Sequence, residues 1–323
     1  MTRKILSVAL KILVSAGILY FLLRGIDGAV VWRIFSSVNA GLLILSAIIY
    51  VSTQCVSTLR WSIILDRDFK TPYLKLLSIY YIGMFFNNFL PTMVGGDVVK
   101  GYYLYRASSR ADVSISSIFM DRYSGFFALM VITAAALIPG YALIRDTTLP
   151  LFFVLLIGGF FVISLAIWAE GAHGWAVSML KKIRLYGLNE KIDRLYNMLM
   201  SYKKSYRMLG KVFLCSLYVQ AGVIIGYYAL GSALGLNVSL GHYFLFIPLT
   251  TAISMLPVSL SGLGIREGAF VYFFSKAGAS NEAAITLSLT WFAITAAASL
   301  FGGIEYIRHG APKQNGMEGL KNA

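Results

Sequence analysis

The sequence predicts an all-α polytopic membrane protein, with about six transmembrane helices plus two re-entrant helical hairpins in an inverted repeat. Three observations predict it. Several apolar runs reach the roughly 18–20 residues needed to cross a bilayer core. Two further apolar stretches break at Pro and Gly and restart on an acid and a base, the sequence mark of a site between repeats. Basic residues gather in the connecting segments, where membrane topology places them. The chain is 58% hydrophobic and only 13% charged, so its core is buried in lipid rather than built in water.

The first run, Ile5–Leu23, follows Arg3 and Lys4 as a signal peptide would, and Val14-Ser15-Ala16 resembles a cleavage site. The run continues to Leu23 and Lys11 interrupts it, which favours an uncleaved first span. The other expected spans are Ala40–Leu59, Ile118–Ile138, Leu149–Trp168, Val212–Leu234 and Ala283–Ile304. The interrupted stretches are Leu74–Tyr105, broken at Pro91, Gly95 and Gly96, and His242–Ser275, broken at Pro257, Gly262 and Gly264.

Charge decides how these two run. Residues 170–211 carry nine Lys and Arg against only Glu170, Glu190 and Asp193, and belong in the cytoplasm by the positive-inside tendency. The N-terminus and the loop Arg60–Lys75 belong there too. All three agree only if Leu74–Tyr105 dips in and returns. The same logic for His242–Ser275 puts Arg308, Lys313 and Lys321 inside. The first hairpin then enters from the cytoplasm and the second from outside, giving inverted units of about 40–138 and 212–304 in one membrane domain, 1–309. Irregular backbone at membrane depth must be buried or face water, so the tips are expected to meet at a cavity. Two Pro-kinked ordinary helices are the alternative.

Within 170–211, Ile192, Leu195, Tyr196, Leu199, Tyr202 and Tyr206 recur at helical spacing, with Lys191, Arg194, Lys203 and Arg207 elsewhere on the helix. An amphipathic helix on the inner leaflet and a helix packed on the bundle both satisfy that pattern. Residues 310–323 form a polar tail expected to be disordered.

The net charge of +14 would suggest nucleic acid in a soluble chain; here topology and anionic headgroups account for it, and no nucleic-acid partner is expected. Cys55 and Cys215 fall in apolar runs without paired spacing, as small buried hydrophobes do. His173, His242 and His309 lack metal-ligand spacing, and no nucleotide loop or nucleophile elbow is present, so neither metal nor cofactor is expected.

The chemistry is expected at Asp97, Lys100, Arg266 and Glu267, just after the glycines. A charge at the bilayer centre costs about 2.5–3.5 kcal/mol on insertion scales, so such residues must face each other, water or a charged ligand. Restarted helices offer free N–H groups and positive dipole ends. With Lys100 and Arg266 these make a phosphate cradle, the carboxylates holding the bases; two internal salt bridges pinning the repeats are the bland reading. Asp121-Arg122 is a third pair, with Arg122 joining the cradle or snorkelling to the interface. Asn87 and Asn88 bond headgroup oxygens or cap the broken helix.

The run Asn88-Phe-Leu-Pro91 … Gly95-Gly96-Asp97-Val-Val-Lys100, then Asp121-Arg122, then Pro257-Val-Ser259-Leu-Ser-Gly262-Leu-Gly264-Ile-Arg266-Glu267-Gly268, resembles the lysylphosphatidylglycerol-synthase transmembrane-domain family, the flippase-like, YbhN-like membrane proteins. The likeness spans most of the chain in order. It implies a bacterial or archaeal cytoplasmic-membrane protein that handles lipids, here similar to stand-alone members without the aminoacyl-transferase domain. Lys100 stands where arginine is expected, a point charge instead of a fork, and Thr92-Met93 and Ser261 replace glycine or similar small residues.

Together these lead to a lipid translocase moving an anionic or lipid-phosphate-linked molecule between the hairpins, with both termini cytoplasmic. Its substrate-binding residues would be Asn87, Asn88, Asp97, Lys100, Asp121, Arg122, Arg266 and Glu267. A membrane-embedded transferase, synthase or accessory subunit, and a scaffold recruiting a partner through its basic helix, are the alternatives. Membrane lipids are the expected partners; a homodimer and a separate lipid-modifying enzyme stay open.

Overall fold

The computed structural model describes residues 17, 20, 24–66, 68–89, 95–140, 148–168, 200–203, 205–255 and 262–309. Among these the elements are all helices: α1 (Gly28–Ser36), α2 (Ala40–Leu65), α3 (Tyr73–Phe89), α4 (Gly95–Ser108), α5 (Ala111–Gly140), α6 (Thr148–Trp168), α7 (Tyr206–Ala233), α8 (Leu240–Ser254), α9 (Ile265–Lys276) and α10 (Asn281–His309). Of the described helices, α2, α5, α7 and α10 are long and apolar enough to cross a membrane. The fold is that of an all-α polytopic membrane protein.

The frame is α2 against α7. Between helices in lipid, association rests on close packing and hydrogen bonds rather than on the hydrophobic effect. The pair uses both. Ser46 donates to the Gly226 carbonyl at 2.9 Å, and the Asn39 N–H to Ala233 at 2.9 Å. A Cβ on Gly222 would stand 2.7 Å from a methyl of Thr53. The contacts Asn39–Ala233, Ser46–Gly226, Ser52–Tyr218 and Arg60–Ser216 run in opposite senses along the two chains, so the helices are antiparallel.

Each interrupted stretch folds back on itself. In the first, α3 meets α4 through Asn87 and Gly96 and, lower down, through Gly83 and Lys100. In the second, Phe246 of α8 stacks on Phe273 of α9, 5.5 Å between centroids, and Tyr243 meets Phe274 edge-on at 5.0 Å. Antiparallel arms exclude the kinked-helix alternative. At 1.5 Å per residue the arms are about 18–25 Å long, shorter than the ~30 Å hydrocarbon core.

The hairpins enter from opposite ends of the bundle. Trp61 bonds Ser117 and Arg60 bonds Asp121, so the end of α2 lies by the start of α5, with the first hairpin between them. Tyr227 stacks on Trp291 at 3.8 Å, which places the second hairpin between the end of α7 and the start of α10. The antiparallel frame puts those two ends at opposite poles. Each hairpin then leans on the other unit, α3 on α10 and α8 on α5.

Several boundaries move. The spans expected at Ile118–Ile138, Val212–Leu234 and Ala283–Ile304 begin earlier, at Ala111, Tyr206 and Asn281, because the helices continue through polar residues such as Asp112, Arg207 and Glu282 that the apolar pattern left out. Tyr206, Arg207 and Lys211, assigned above to an amphipathic segment, belong to α7. Tyr202 is fully buried with Ile64, Met120 and Val212, packed on the bundle rather than on a leaflet. Most of that segment, most of Ile5–Leu23, Pro91, Pro257 and residues 310–323 lie outside the described residues. Arg60, assigned to a cytoplasmic loop, is 4% exposed inside α2.

Candidate functional site

Glycine at 96 lets the first hairpin close. A side chain there would collide with the Gly83 carbonyl and the Asn87 amide. Asn87 instead accepts the Gly96 N–H at 2.9 Å, taking up one of the free donors of the first turn of α4. That turn presents Asp97 and Lys100 to α5.

Asp97 receives Arg122 in a fork, 2.8 Å from Nε and 3.0 Å from Nη2. Lys100 Nζ lies 4.0 Å from Asp97 and 3.6 Å from Asp121, and stands over the rings of Trp61 and Tyr80 at 4.6 and 4.2 Å. Compact ammonium and aromatic faces suit each other here, where a guanidinium fork would need coplanar acceptors. Asp121 also accepts from Arg60 Nε at 2.8 Å, and Arg60 Nη1 donates to Ser216 of α7 at 3.1 Å. Gly125 makes room for this guanidinium, whose Nη1 would be 3.1 Å from a Cβ. Three cations thus meet two carboxylates, leaving one positive charge in surplus. Lys100 and Asp121 are 3% and 2% exposed, whereas the Arg122 side chain is 51% exposed.

The second cluster grows from another pair of glycines. Gly262 and Gly264 have φ of +79° and +84°, in the left-handed region that disfavours side chains. Glu267 reaches back to the Gly264 N–H at 2.7 Å, accepts Arg266 Nε at 2.9 Å, and takes the Ser288 hydroxyl at 3.2 Å. Arg266 stacks over Phe292 at 5.1 Å. Glu267 is 1% exposed, while the Arg266 side chain keeps 18%.

The tips converge on α10. Asn88 donates to the Thr295 carbonyl at 3.3 Å, about one turn (~5 Å) beyond the Phe292 that supports Arg266. Among the described residues no hydrogen bond or ion pair joins the two clusters, so the single cradle drawn from the sequence resolves into two neighbouring stations. Lys100 does not offer its ammonium to open space. Arg122 and Arg266 are the cations with exposed surface, and Asn87 and Asn88 spend their amides inside the protein. Among the described residues no three His, Cys, Asp or Glu side chains gather as metal ligands would.

Arg60 completes the first cluster, a place the sequence expectation did not give it. A signal was present: the apolar run resumes after it as Trp61-Ser-Ile-Ile-Leu65, so the base lies inside a span and must be paired.

Opposed hairpins carrying ionised side chains into an apolar bundle define an integral membrane protein with a charged interior. The chain belongs to the lysylphosphatidylglycerol synthase TM region family, which it matches over residues 8–303. Two similar proteins are UPF0104 membrane proteins of Methanothermobacter thermautotrophicus. One is 25% identical over 258 residues, 72% of this chain and 73% of the relative; the other is 27% identical over 247 residues, 69% and 72%.

Proposed function

We propose that the protein is a lipid translocase that passes the headgroup of an anionic, or lipid-phosphate-linked, molecule between the two hairpins while its tails remain in the bilayer. The observation that carries this reading is Arg122: a cationic side chain, half exposed, inside a candidate span, held by Asp97 in a cluster with one positive charge over. Ionisable groups within spans face partners or a wet cavity, and a surplus cation calls for an anion. Arg122 receives a phosphate as a bidentate fork and Arg266 receives it next. Asp97 and Glu267 orient the two guanidiniums. Lys100, Asp121 and Arg60 act behind them, fixing Asp97 and supplying the excess charge. The hairpin tips, entering from opposite ends, converge between the two units, the kind of place where transporters built of inverted repeats hold their substrate. On this reading both termini and the first hairpin face the cytoplasmic side of a bacterial or archaeal inner membrane, which the positive-inside tendency of the basic segments favours.

The test is transbilayer movement of a labelled anionic phospholipid in proteoliposomes. Arg122→Ala and Arg266→Ala should each slow it at least tenfold, and a zwitterionic lipid should move more slowly through the unaltered protein. Rates equal to those of the unaltered protein in both variants would overturn the proposal; a chemically altered lipid would assign the site to a transferase instead.

A further inference from the structure

On the far side of α5 from Arg122 lies a second feature. Met120, Tyr123, Ser124 and Phe127 share one face of that helix, and Arg122 is roughly 200° around from Met120 at 3.6 residues per turn. This face, with α6 and α7, encloses a groove of about 490 Å³. Aromatic edges build its body, Phe127 meeting Phe161 at 5.6 Å and Phe213 at 6.0 Å. One end is polar. Trp168 Nε1 donates to the Tyr123 hydroxyl at 2.9 Å, and Lys203 Nζ donates to the Trp168 carbonyl at 3.4 Å. Among the described residues lining the groove, Lys203 alone is charged. About one turn deeper, the Ser164 hydroxyl is buried, 5% exposed, with no hydrogen-bond partner among the described residues. The outer face of α6 (Leu151, Val154, Leu155, Val162, Ile163) is exposed apolar surface of the kind that acyl chains cover.

We infer that this groove holds one acyl chain of an anionic phospholipid, with the headgroup phosphate at Lys203 and the ester carbonyl of the same chain on Ser164. The order of groups down the groove is that of the lipid itself: ammonium and interfacial aromatics, then a hydroxyl donor a few ångströms below, then rings and aliphatic side chains. A buried hydroxyl without an acceptor is costly, and an ester carbonyl satisfies it. Trp and Tyr sit where headgroups begin. A lysine beside the membrane surface recognises anionic over zwitterionic headgroups by about fivefold. The site stands apart from the charged stations, so it does not depend on translocation.

The experiment uses the fluorescence of Trp168 in the full chain, taken as the difference between the unaltered protein and Trp168→Phe, in bicelles containing chain-brominated phosphatidylglycerol or phosphatidylcholine. Quenching of that component should reach half at about fivefold less phosphatidylglycerol than phosphatidylcholine. Lys203→Glu should erase the preference, Lys203→Arg should keep it, and Ser164→Phe, which fills the groove, should reduce quenching by both lipids. Equal quenching by the two lipids in the unaltered protein overturns the inference whether or not the variants fold. So does a preference that survives Lys203→Glu, or a Trp168 component that no lipid quenches, as when the chain itself or a second copy fills the groove. Each of these failures leaves the translocase reading intact, because Arg122 is not probed.

Discussion

Replacing Arg60 by methionine isolates what the buried network contributes. The substitution keeps an unbranched apolar stem and deletes the group that donates to Asp121 at 2.8 Å and to Ser216 at 3.1 Å. Asp121, 2% exposed, then keeps only Lys100 at 3.6 Å, and that ammonium is shared with Asp97. Breaking a buried pair by removing one partner costs about 3–5 kcal/mol, whereas exchanging both partners for apolar side chains is close to neutral. Arg60→Met should therefore lose about 3–5 kcal/mol. Arg60→Met with Asp121→Leu should recover much of that, but not all, since Lys100 loses a counter-ion. Asp121→Leu, which strands Arg60 and Lys100, should cost about as much as Arg60→Met, so the coupling energy (the two single losses less that of the double variant) is expected to be at least about 3 kcal/mol, at or above the top of the range for residues in contact. Reversible unfolding in bicelles, measured for the unaltered protein, both single variants and the double variant, gives this quantity directly. Additive losses, with coupling near zero, would refute the reasoning: Arg60 would then be stabilised by packing of its stem, and the surplus charge assigned to the cluster would not exist.

Burial, not distance, should set the order of the other ion pairs. Arg122 meets Asp97 at the same 2.8 Å, but its side chain is half exposed, so Arg122→Gln should cost no more than about 1 kcal/mol in the same unfolding assay, and a loss as large as that of Arg60→Met would contradict this. Gly96→Ala and Gly302→Ala put a methyl against the backbone of Gly83 and Tyr81 respectively, where nothing flexible can give way, and should each cost at least about 1–3 kcal/mol. Gly210→Ala, in α7 with nothing within 4 Å of the new methyl, should be neutral or stabilising by up to about 1 kcal/mol, and equal effects at all three would show that the hairpin is not tightly closed. Single cysteines at Arg110 and Lys276, which lie at opposite ends of the bundle, should react with an impermeant thiol reagent from opposite sides of the membrane; labelling of both from one side would reverse the hairpin assignment.

The helical class, the long spans among the described residues and the two breaks were legible because each depends on composition over ten or more residues. Hairpin closure was legible only through charge bookkeeping along the chain, and it followed even though one contributor to that bookkeeping, Arg60, is not in a loop. Arg67, Lys70 and Lys75 remain beside it in sequence, so a wrong placement of one base left the sum unchanged. What could not be read is which charge meets which. The sequence pairs Asp97 with Lys100 and Asp121 with Arg122 by proximity along the chain. The structure keeps Lys100 4.0 Å from Asp97 but gives the short pairs across helices, Asp97 with Arg122 and Asp121 with Arg60, because α4, α5 and α2 face one another at angles that spacing within a single helix does not encode.

That crossing also separates cations of equal formal charge into different jobs. Had Lys100 carried a guanidinium, it would compete with Arg122 for the fork on Asp97. An ammonium between two carboxylates and two aromatic faces cannot make that fork, so Arg122 holds it and stays at the surface. The lysine at position 100 is thus coupled to the exposure of Arg122, and the two should be altered together. Lys100→Arg ought to displace Arg122 from Asp97 and lower anion affinity at that station even though no charge is lost. Restoring the fork geometry with Lys100→Arg and Arg122→Lys should not rescue it, because the exposed position would then carry the point charge.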